Sequence, residues 1–266
     1  MQSSNKSFAG DLDRLIFFGS VAGIISLCVP LALFPEQGGI ILGKAFDFLT
    51  QQFGVFYVAG ASLTFAFLLY LAFSRHGNIR LGNSAPEFST LSWAAMLFCG
   101  GIGTSVLYWG VVEWAYYFQA PPYGVTPQTP EAMLWSVSYP IFHWGLMGWS
   151  LYVLPGVAIA YSYYVRGAKS LRLSDACEPV IGRQAQGALG RAIDLLFVVG
   201  LVGACSIGIG LAVPLIGACV AHLLGVDRAA LGFTLDIAVI LVVTCIFAGS
   251  VWMGLEKGIK RLSDLN

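Results

Sequence analysis

The segment Gly100–Gln119, GGIGTSVLYWGVVEWAYYFQ, begins with three glycines within four residues and ends in a dense run of aromatic side chains around one glutamate. It belongs to an apolar stretch longer than the roughly 20 residues that a helix needs to cross a membrane. Each glycine costs about 1 kcal/mol of helix propensity relative to alanine. Two interpretations follow, close packing against a neighbouring helix or a helix break in mid-membrane. The glycines are Gly100, Gly101 and Gly103.

The composition of the whole chain is that of a membrane protein. Hydrophobic residues make up 57% of the 266 residues and charged residues only 11%, whereas soluble domains carry about 25% charged residues. We therefore expect an all-α integral membrane protein. The formal net charge of zero provides no basic field for nucleic acid. The sequence has no metal-ligand spacing and no catalytic constellation, so we expect no metal, no cofactor and no enzymatic activity.

Six apolar segments are long enough for membrane helices. They cover residues 15–34, 53–73, 89–118, 134–165, 192–224 and 233–254. The amphipathic end of the chain, from residue 254 onward, looks like the start of a seventh helix. All Lys and Arg residues except Lys44 and Arg228 fall on one side of this topology. This asymmetry predicts a multi-pass protein with a cytoplasmic N-terminus.

The fourth apolar segment carries three aromatic residues below its outer end, Trp144, Trp149 and Tyr152. At 100° per residue, a continuous helix would place them on one broad face. One interpretation is the interfacial belt of Trp and Tyr together with ordinary packing. The other is an aromatic cage for a quaternary ammonium ion. Such a cation has no N–H to donate and is held by attraction to ring faces.

Acidic residues inside membrane segments are costly and suggest a function by default. For Asp194 and Asp236, close to the starts of their segments, we expect structural roles. Asp194 would cap a helix or pair with Arg191. Glu113 lies among the aromatic residues, and its role stays open. In the long basic loop between the fourth and fifth segments, the stretch SLRLSDACEPVIG (170–182) predicts a short interfacial helix.

Two strings of residues resemble a known family. They are GGIGTSVLYWGVVEWAYYFQAPPYG (100–124) and YPIFHWGLMGWSLYVLPGVAIAYSYYVRG (139–167). Together with CSIGIG (205–210) and KGIKRLSDLN (257–266), they resemble the N-terminal half of the betaine/choline/carnitine transporter family. The similarity is closest to its carnitine/γ-butyrobetaine exchanger branch. It covers essentially the whole chain.

The resemblance implies a leucine-transporter-like fold, in which the last ten of twelve membrane helices form two inverted five-helix repeats. This chain would then be truncated to about six membrane helices and the start of a seventh. Residues 1–14 would form a cytoplasmic tail, and residues 15–86 two peripheral helices. Residues 87–266 would form the first part of the core, with four membrane helices and the start of a fifth core helix.

The resemblance also implies a set of site residues. Those that would contact the trimethylammonium group are Tyr116, Trp144, Trp149 and Tyr152. Backbone groups for an ion or substrate would come from a helix break at Gly100, Gly101 and Gly103. Arg261 would supply a cation in place of sodium. The chain departs from the family at Cys99, where the G-x-G-x-G motif has its first glycine, and at Cys205, where sodium-coupled members use a threonine.

The implied activity is secondary transport of carnitine, betaine or choline by alternating access, through substrate exchange. The expected setting is a homotrimer in the bilayer of the bacterial inner membrane. One alternative is an ion-coupled betaine or choline symporter when full length. Another is a truncated, non-transporting membrane fragment or assembly subunit, because the family's tryptophan-rich helix would follow residue 266.

Overall fold

The computed structural model describes residues 13–82, 85–101 and 103–265, and the regular structure within these ranges is helical, without a β-strand. The α-helices are α1 (Arg14–Leu33), α2 (Pro35–Phe73), α3 (Thr90–Gly101), α4 (Gly103–Gln119), α5 (Pro130–Trp144), α6 (Leu146–Tyr164), α7 (Leu173–Ile181), α8 (Ala188–Leu224), α9 (Arg228–Gly254) and α10 (Lys260–Leu265). Short 3₁₀ turns cover Arg75–Asn78 and Gly182–Gln186, and a π-helical turn, Leu255–Ile259, precedes α10.

The membrane-spanning helices confirm the predicted all-α architecture. Five spans in the described chain are long and apolar enough to cross a bilayer, namely α1, α2, the pair α5–α6, α8 and α9. The bent pair α3–α4 makes six when it is counted as one span. The predicted N-terminal tail, residues 1–14, lies almost wholly outside the described residues. The loop helix predicted within residues 170–182 is present as α7.

The second span is much longer than the predicted segment 53–73. α2 begins at Pro35 and runs for 39 residues, because proline fits the first position of a helix and Glu36 favours its first turn. Polar residues such as Lys44 ended the apolar segment in the sequence without ending the helix. At 1.5 Å per residue α2 is about 58 Å long, more than the roughly 45 Å of a bilayer with its headgroups.

The chain forms two compact units. The first combines Met1–Asn83 with Phe142–Val202, and the second combines Ser84–Ile141 with Gly203–Asn266. In the first unit α2 packs against α1 and α6, and α6 packs against α7. In the second unit α10 packs against α3 and follows α9 through the π-helical turn. These two units are not the domains expected from the sequence, which separate peripheral helices before residue 86 from core helices after it. That division stays a prediction.

A hydrogen-bonded and charged cluster joins three helix starts in the first unit. Asp13 caps α1, where its carboxylate accepts hydrogen bonds from the first turn. The buried carboxylate of Asp194 in α8 accepts from the backbone N–H of Ser174 at 3.0 Å and from its hydroxyl at 2.8 Å, at the start of α7. Arg172 lies 3.6 Å from Asp13 and 3.9 Å from Asp194. Asp194 therefore stabilises a helix start, as predicted, but its cationic neighbour is Arg172. Arg191 pairs with Asp13 instead.

Asp236 also has a structural partner, in the second unit. The guanidinium of Arg228 donates to Asp236 at 2.5 Å and to the carbonyl of Gly232 at 3.2 Å. Gly232 has φ +50°, a value that glycine adopts without steric cost, and it kinks α9 within its first turns. The Arg228–Asp236 pair therefore spans the kink and supports the structural role expected for Asp236.

Replacing Asp194 by alanine removes the acceptor of two hydrogen bonds and leaves the buried Ser174 groups without it. We expect the free energy of unfolding to fall by about 1–3 kcal/mol, measured by denaturant titration in detergent micelles. Asp47→Ala provides the control, because Asp47 is exposed on α2. Its effect should be below about 0.5 kcal/mol. Equal losses in the two variants would contradict the role assigned to Asp194.

Candidate functional site

The glycine-rich stretch separates two helices of the second unit. The axes of Thr90–Gly100 and Ser105–Gln119 differ in direction by 60°. A β-carbon built on Gly100 or on Gly103 would meet no other group within 4 Å in the described part of the chain. Close packing against a described helix thus does not explain these two glycines. The geometry favours the broken-helix interpretation, and the contribution of Gly101 and its neighbours to an ion or substrate site stays a prediction.

The fourth span is also interrupted, although its sequence predicts one continuous apolar segment. α5 ends at Trp144 and α6 begins at Leu146, with extended backbone at Gly145 between them. The helical step of 100° per residue therefore does not run unbroken from Trp144 to Trp149. Helical periodicity places only Trp149 and Tyr152 on one face. The shared face expected for all three aromatic residues needs this correction.

Two of the predicted substrate residues form a ring pair in the first unit. The ring centroids of Trp149 and Tyr152 lie 5.6 Å apart at an angle of 48°. Tyr152 is 65% exposed and Trp144 is 38% exposed, while Trp149 is half-buried. Their ring faces are therefore partly accessible in the described chain. Aromatic faces of this kind attract methylated cations through their quadrupoles.

A cavity of about 670 Å³ lies beside Trp149, between α2 and α6. Most of its lining is aliphatic or aromatic, and its polar side chains come from His76, Ser150 and Tyr161. The volume lies within the range of small-molecule pockets. No carboxylate, lysine or arginine lines it among the described residues. The cavity therefore suits apolar surface, such as methyl groups, beside the Trp149 ring.

Tyr116, the remaining predicted substrate residue, belongs to the second unit. Its ring lies 5.9 Å from that of Trp109, which precedes it by two helical turns on α4. Tyr116 is 55% exposed. Both residues follow the glycine-rich break along the same helix. A binding role for Tyr116 stays a prediction.

Arg261, the predicted substitute for a sodium ion, is exposed on α10. Its helix is held to α3 near the start of that helix, where hydrogen bonds from Lys260 and Ser92 lower the pKa of Asp264. Ser92 precedes Gly100 by eight residues, about 12 Å along a helix axis. The contact between Ser92 and Asp264 thus lies at the opposite end of α3 from its glycines. A role for Arg261 at the break stays a prediction.

Comparison with known proteins identifies the family of this chain. The family model described as betaine/carnitine/choline family transporter matches residues 15–266. The chain belongs to this family. Residues 15–266 include both helix breaks, the Trp149–Tyr152 pair and Tyr116. The resemblance seen in the sequence is therefore confirmed at the level of the family.

Several family members with assigned names are similar to the chain. It is 36% identical to a carnitine transporter of Acinetobacter baumannii, over 94% of this chain and 44% of that protein. It is 38% identical to the glycine betaine transporter OpuD of Bacillus subtilis, over 87% and 45% of the two proteins. It is 32% identical to a high-affinity choline transport protein of Escherichia coli, over 96% and 37%. The chain thus spans less than half the length of these relatives.

Sequence reasoning missed three features of this region. The interruption lies at Gly145, and a single glycine in an apolar segment is only a weak sequence signal for a helix break. The cavity exists because α2 and α6 pack side by side, and the hydrophobic periodicity of a sequence does not show which helices are neighbours. His76 and Tyr161, two of its polar groups, are far apart in the sequence. A signal that could have predicted an irregular helix is the presence of two glycines, Gly145 and Gly148, and two prolines, Pro140 and Pro155, within one span.

The interruption at Gly145 depends on a second glycine. A β-carbon on Gly148 would lie 2.2 Å from the carbonyl oxygen of His143, so Gly148→Ala forces the α5–α6 junction apart. We expect a loss of about 1–3 kcal/mol in the free energy of unfolding, measured in detergent. Gly156→Ala on the same helix is the control, because its β-carbon would meet nothing within 4 Å. It should be neutral or slightly stabilising. A neutral Gly148→Ala variant would contradict the assigned geometry.

Proposed function

We propose that this chain forms part of a secondary transporter of small quaternary ammonium compounds, with carnitine, betaine and choline as the candidate substrates. The observation that carries the proposal is the Trp149–Tyr152 ring pair, which closely follows a helix interruption and in which Trp149 borders an apolar cavity. The names of the relatives, which include carnitine, glycine betaine and choline transporters, support the same substrate class.

The chemistry of a trimethylammonium group fits this surface. Its charge is spread over methyl groups and it donates no hydrogen bond, so ring faces and shape must bind it. Trp149 and Tyr152 offer the ring faces, and the cavity beside Trp149 offers apolar walls. We assign the carboxylate of carnitine or betaine to polar side chains or free backbone groups. Choline has no carboxylate, so those groups would separate the three candidate substrates.

The proposed mechanism is alternating access. Interrupted helices supply positions where short helix segments change direction without breaking long hydrogen-bond ladders. The bend between α3 and α4 and the interruption between α5 and α6 are the two candidate positions. We assign the driving force to exchange, in which a second substrate molecule drives the return step. Arg261 replaces the charge of a sodium ion in this scheme, and Cys205 stands where sodium-coupled members carry a threonine.

We further propose the setting of the transporter. The distribution of Lys and Arg supports a cytoplasmic N-terminus in a bacterial inner membrane. A homotrimer is the assembly implied by the family resemblance.

Uptake of labelled carnitine, betaine and choline tests the substrate class, using cells that express the complete gene encoding this chain. Trp149→Ala should raise the half-saturation concentration about tenfold or more, because cation–π attraction at a desolvated site contributes about 2 kcal/mol. The triple variant Trp144→Ala, Trp149→Ala, Tyr152→Ala should show no saturable uptake. Trp252→Ala is the control, because Trp252 on α9 is 92% exposed. If the triple variant matched wild type, these rings would not bind the substrate.

Counterflow in proteoliposomes tests the exchange mechanism. Vesicles preloaded with unlabelled substrate should accumulate labelled substrate with sodium replaced by choline-free potassium buffer, since exchange needs no ion gradient. Arg261→Ala should make the same activity weaker or dependent on sodium. Counterflow by the wild-type protein that stops when sodium is removed would instead support the ion-coupled symporter.

A further inference from the structure

Four aromatic rings meet where the loop between α4 and α5 crosses the ends of these helices. Tyr117 lies on α4, Tyr123 in the loop, and Trp135 and Tyr139 on α5. We call these four residues the loop aromatic cluster. The ring centroids of Tyr117 and Tyr139 lie 5.1 Å apart, those of Tyr123 and Trp135 5.1 Å, and those of Trp135 and Tyr139 5.6 Å. All four belong to the second unit, and none is among the substrate residues considered above.

The loop holds Tyr123 in a backbone conformation that a bulky residue rarely adopts. Its φ is +60°, in the left-handed region that normally favours glycine. The hydroxyl of Tyr139 donates to the hydroxyl of Tyr123 at 3.3 Å. Even so, Tyr123 is 78% exposed, so burial of its ring does not account for the strain. Strained residues of this kind concentrate at ligand sites, and here the strain keeps an exposed ring beside two others.

A carboxylate lies behind the cluster. Glu113 is 7% exposed, and its carboxylate accepts a hydrogen bond from the Tyr117 hydroxyl at 3.4 Å. No Lys or Arg occurs between Arg80 and Arg166, whereas this stretch contains Glu87, Glu113 and Glu131. The Glu113 carboxylate therefore places a negative group beside the Tyr117 ring, and a cation is the ligand that such a group attracts.

We propose that the loop aromatic cluster is a low-affinity binding site for a quaternary ammonium group, at which the substrate is first captured. The proposal rests on the transport function proposed above and extends it to a second site. An ammonium ion with N–H groups would need acceptors, whereas the cluster offers mainly ring faces, which suit a methylated cation. The exposed face of Tyr123 and the half-buried rings of Trp135 and Tyr139 form the contact surface. Glu113 supplies charge attraction from behind.

The competing explanation for the cluster is a latch, in which the bond between the Tyr123 and Tyr139 hydroxyls merely fastens the loop. Two substitutions separate the explanations. Tyr123→Phe removes the hydroxyl and keeps the ring. Tyr123→Gly removes the ring, and glycine accepts φ +60° without strain, so the loop backbone is not forced to move. A binding site needs the ring, whereas a latch needs the hydroxyl.

Gln128 offers a matched control in the same loop. It also has a φ of +60°, so Gln128→Gly relieves the same kind of strain without removing an aromatic ring. We expect Tyr123→Gly to raise the half-saturation concentration for choline uptake about two- to fivefold, the range for a cation–π contact at an exposed site. Tyr123→Phe and Gln128→Gly should stay within error of wild type. A loss in Tyr123→Phe equal to that in Tyr123→Gly would overturn the proposal in favour of the latch.

Equilibrium binding separates this proposal from the transport function. The Trp144→Ala, Trp149→Ala, Tyr152→Ala variant, purified in detergent, should still bind choline weakly by fluorescence titration, and Tyr123→Gly on that background should weaken this binding about two- to fivefold. The neutral choline isostere 3,3-dimethylbutan-1-ol should bind neither protein, because it lacks the charge. Choline binding that is unchanged by Tyr123→Gly, or matched by the isostere, would refute the capture site. Absence of uptake by the wild-type protein would refute the transport function alone, since this titration needs no transport.

Discussion

Unsatisfied backbone groups in a bilayer are the constraint on which this structure depends. Each lost helical hydrogen bond costs several kcal/mol in hydrocarbon, so a membrane helix is interrupted only where protein or a cavity accommodates the freed groups. Two spans of the described chain nevertheless depart from straight helices: the pair α3–α4 bends by 60° over its glycine-rich stretch, and the fourth span is interrupted at Gly145. Aromatic residues follow each interruption along the chain. The costly backbone and the rings that attract methylated cations thus occupy the same two spans.

The apolar spans could be predicted closely from the sequence, because hydropathy measures what the bilayer selects. Segments 15–34 and 192–224 correspond to α1 and α8 with small differences at their ends. α2 was underestimated, since Lys44 and its polar neighbours lower hydropathy without lowering helix propensity. The three clustered glycines marked the first break, whereas the single Gly145 did not. That interruption depends on space for the His143 carbonyl beside Gly148, a contact that no single-residue property encodes.

Some features of the candidate site could likewise be predicted from the sequence, and others could not. The spacing of Trp144, Trp149 and Tyr152 left an aromatic cage and an interfacial belt as alternatives, and the family resemblance assigned these three residues to the substrate. The cavity beside Trp149 could not be predicted, since it needs α2 alongside α6. The contact of Tyr123 with the other rings could not be predicted, because the position of Tyr123 depends on a left-handed backbone angle inside a proline-rich loop. The roles of Asp194 and Asp236 were predicted as structural. The cationic neighbour of Asp194 is nevertheless Arg172 and not Arg191, because Arg172 directly precedes α7, whose start is hydrogen-bonded to the Asp194 carboxylate.

The run without Lys or Arg between Arg80 and Arg166 also bears on how the protein reaches the membrane. During synthesis, the orientation of a helical hairpin is decided by basic residues near its ends. The third and fourth spans carry none of their own, so their direction of entry depends on the arginines that bracket them. The absence of basic residues from these two spans and from the loop between them therefore concentrates the information that orients both spans at the ends predicted to be cytoplasmic.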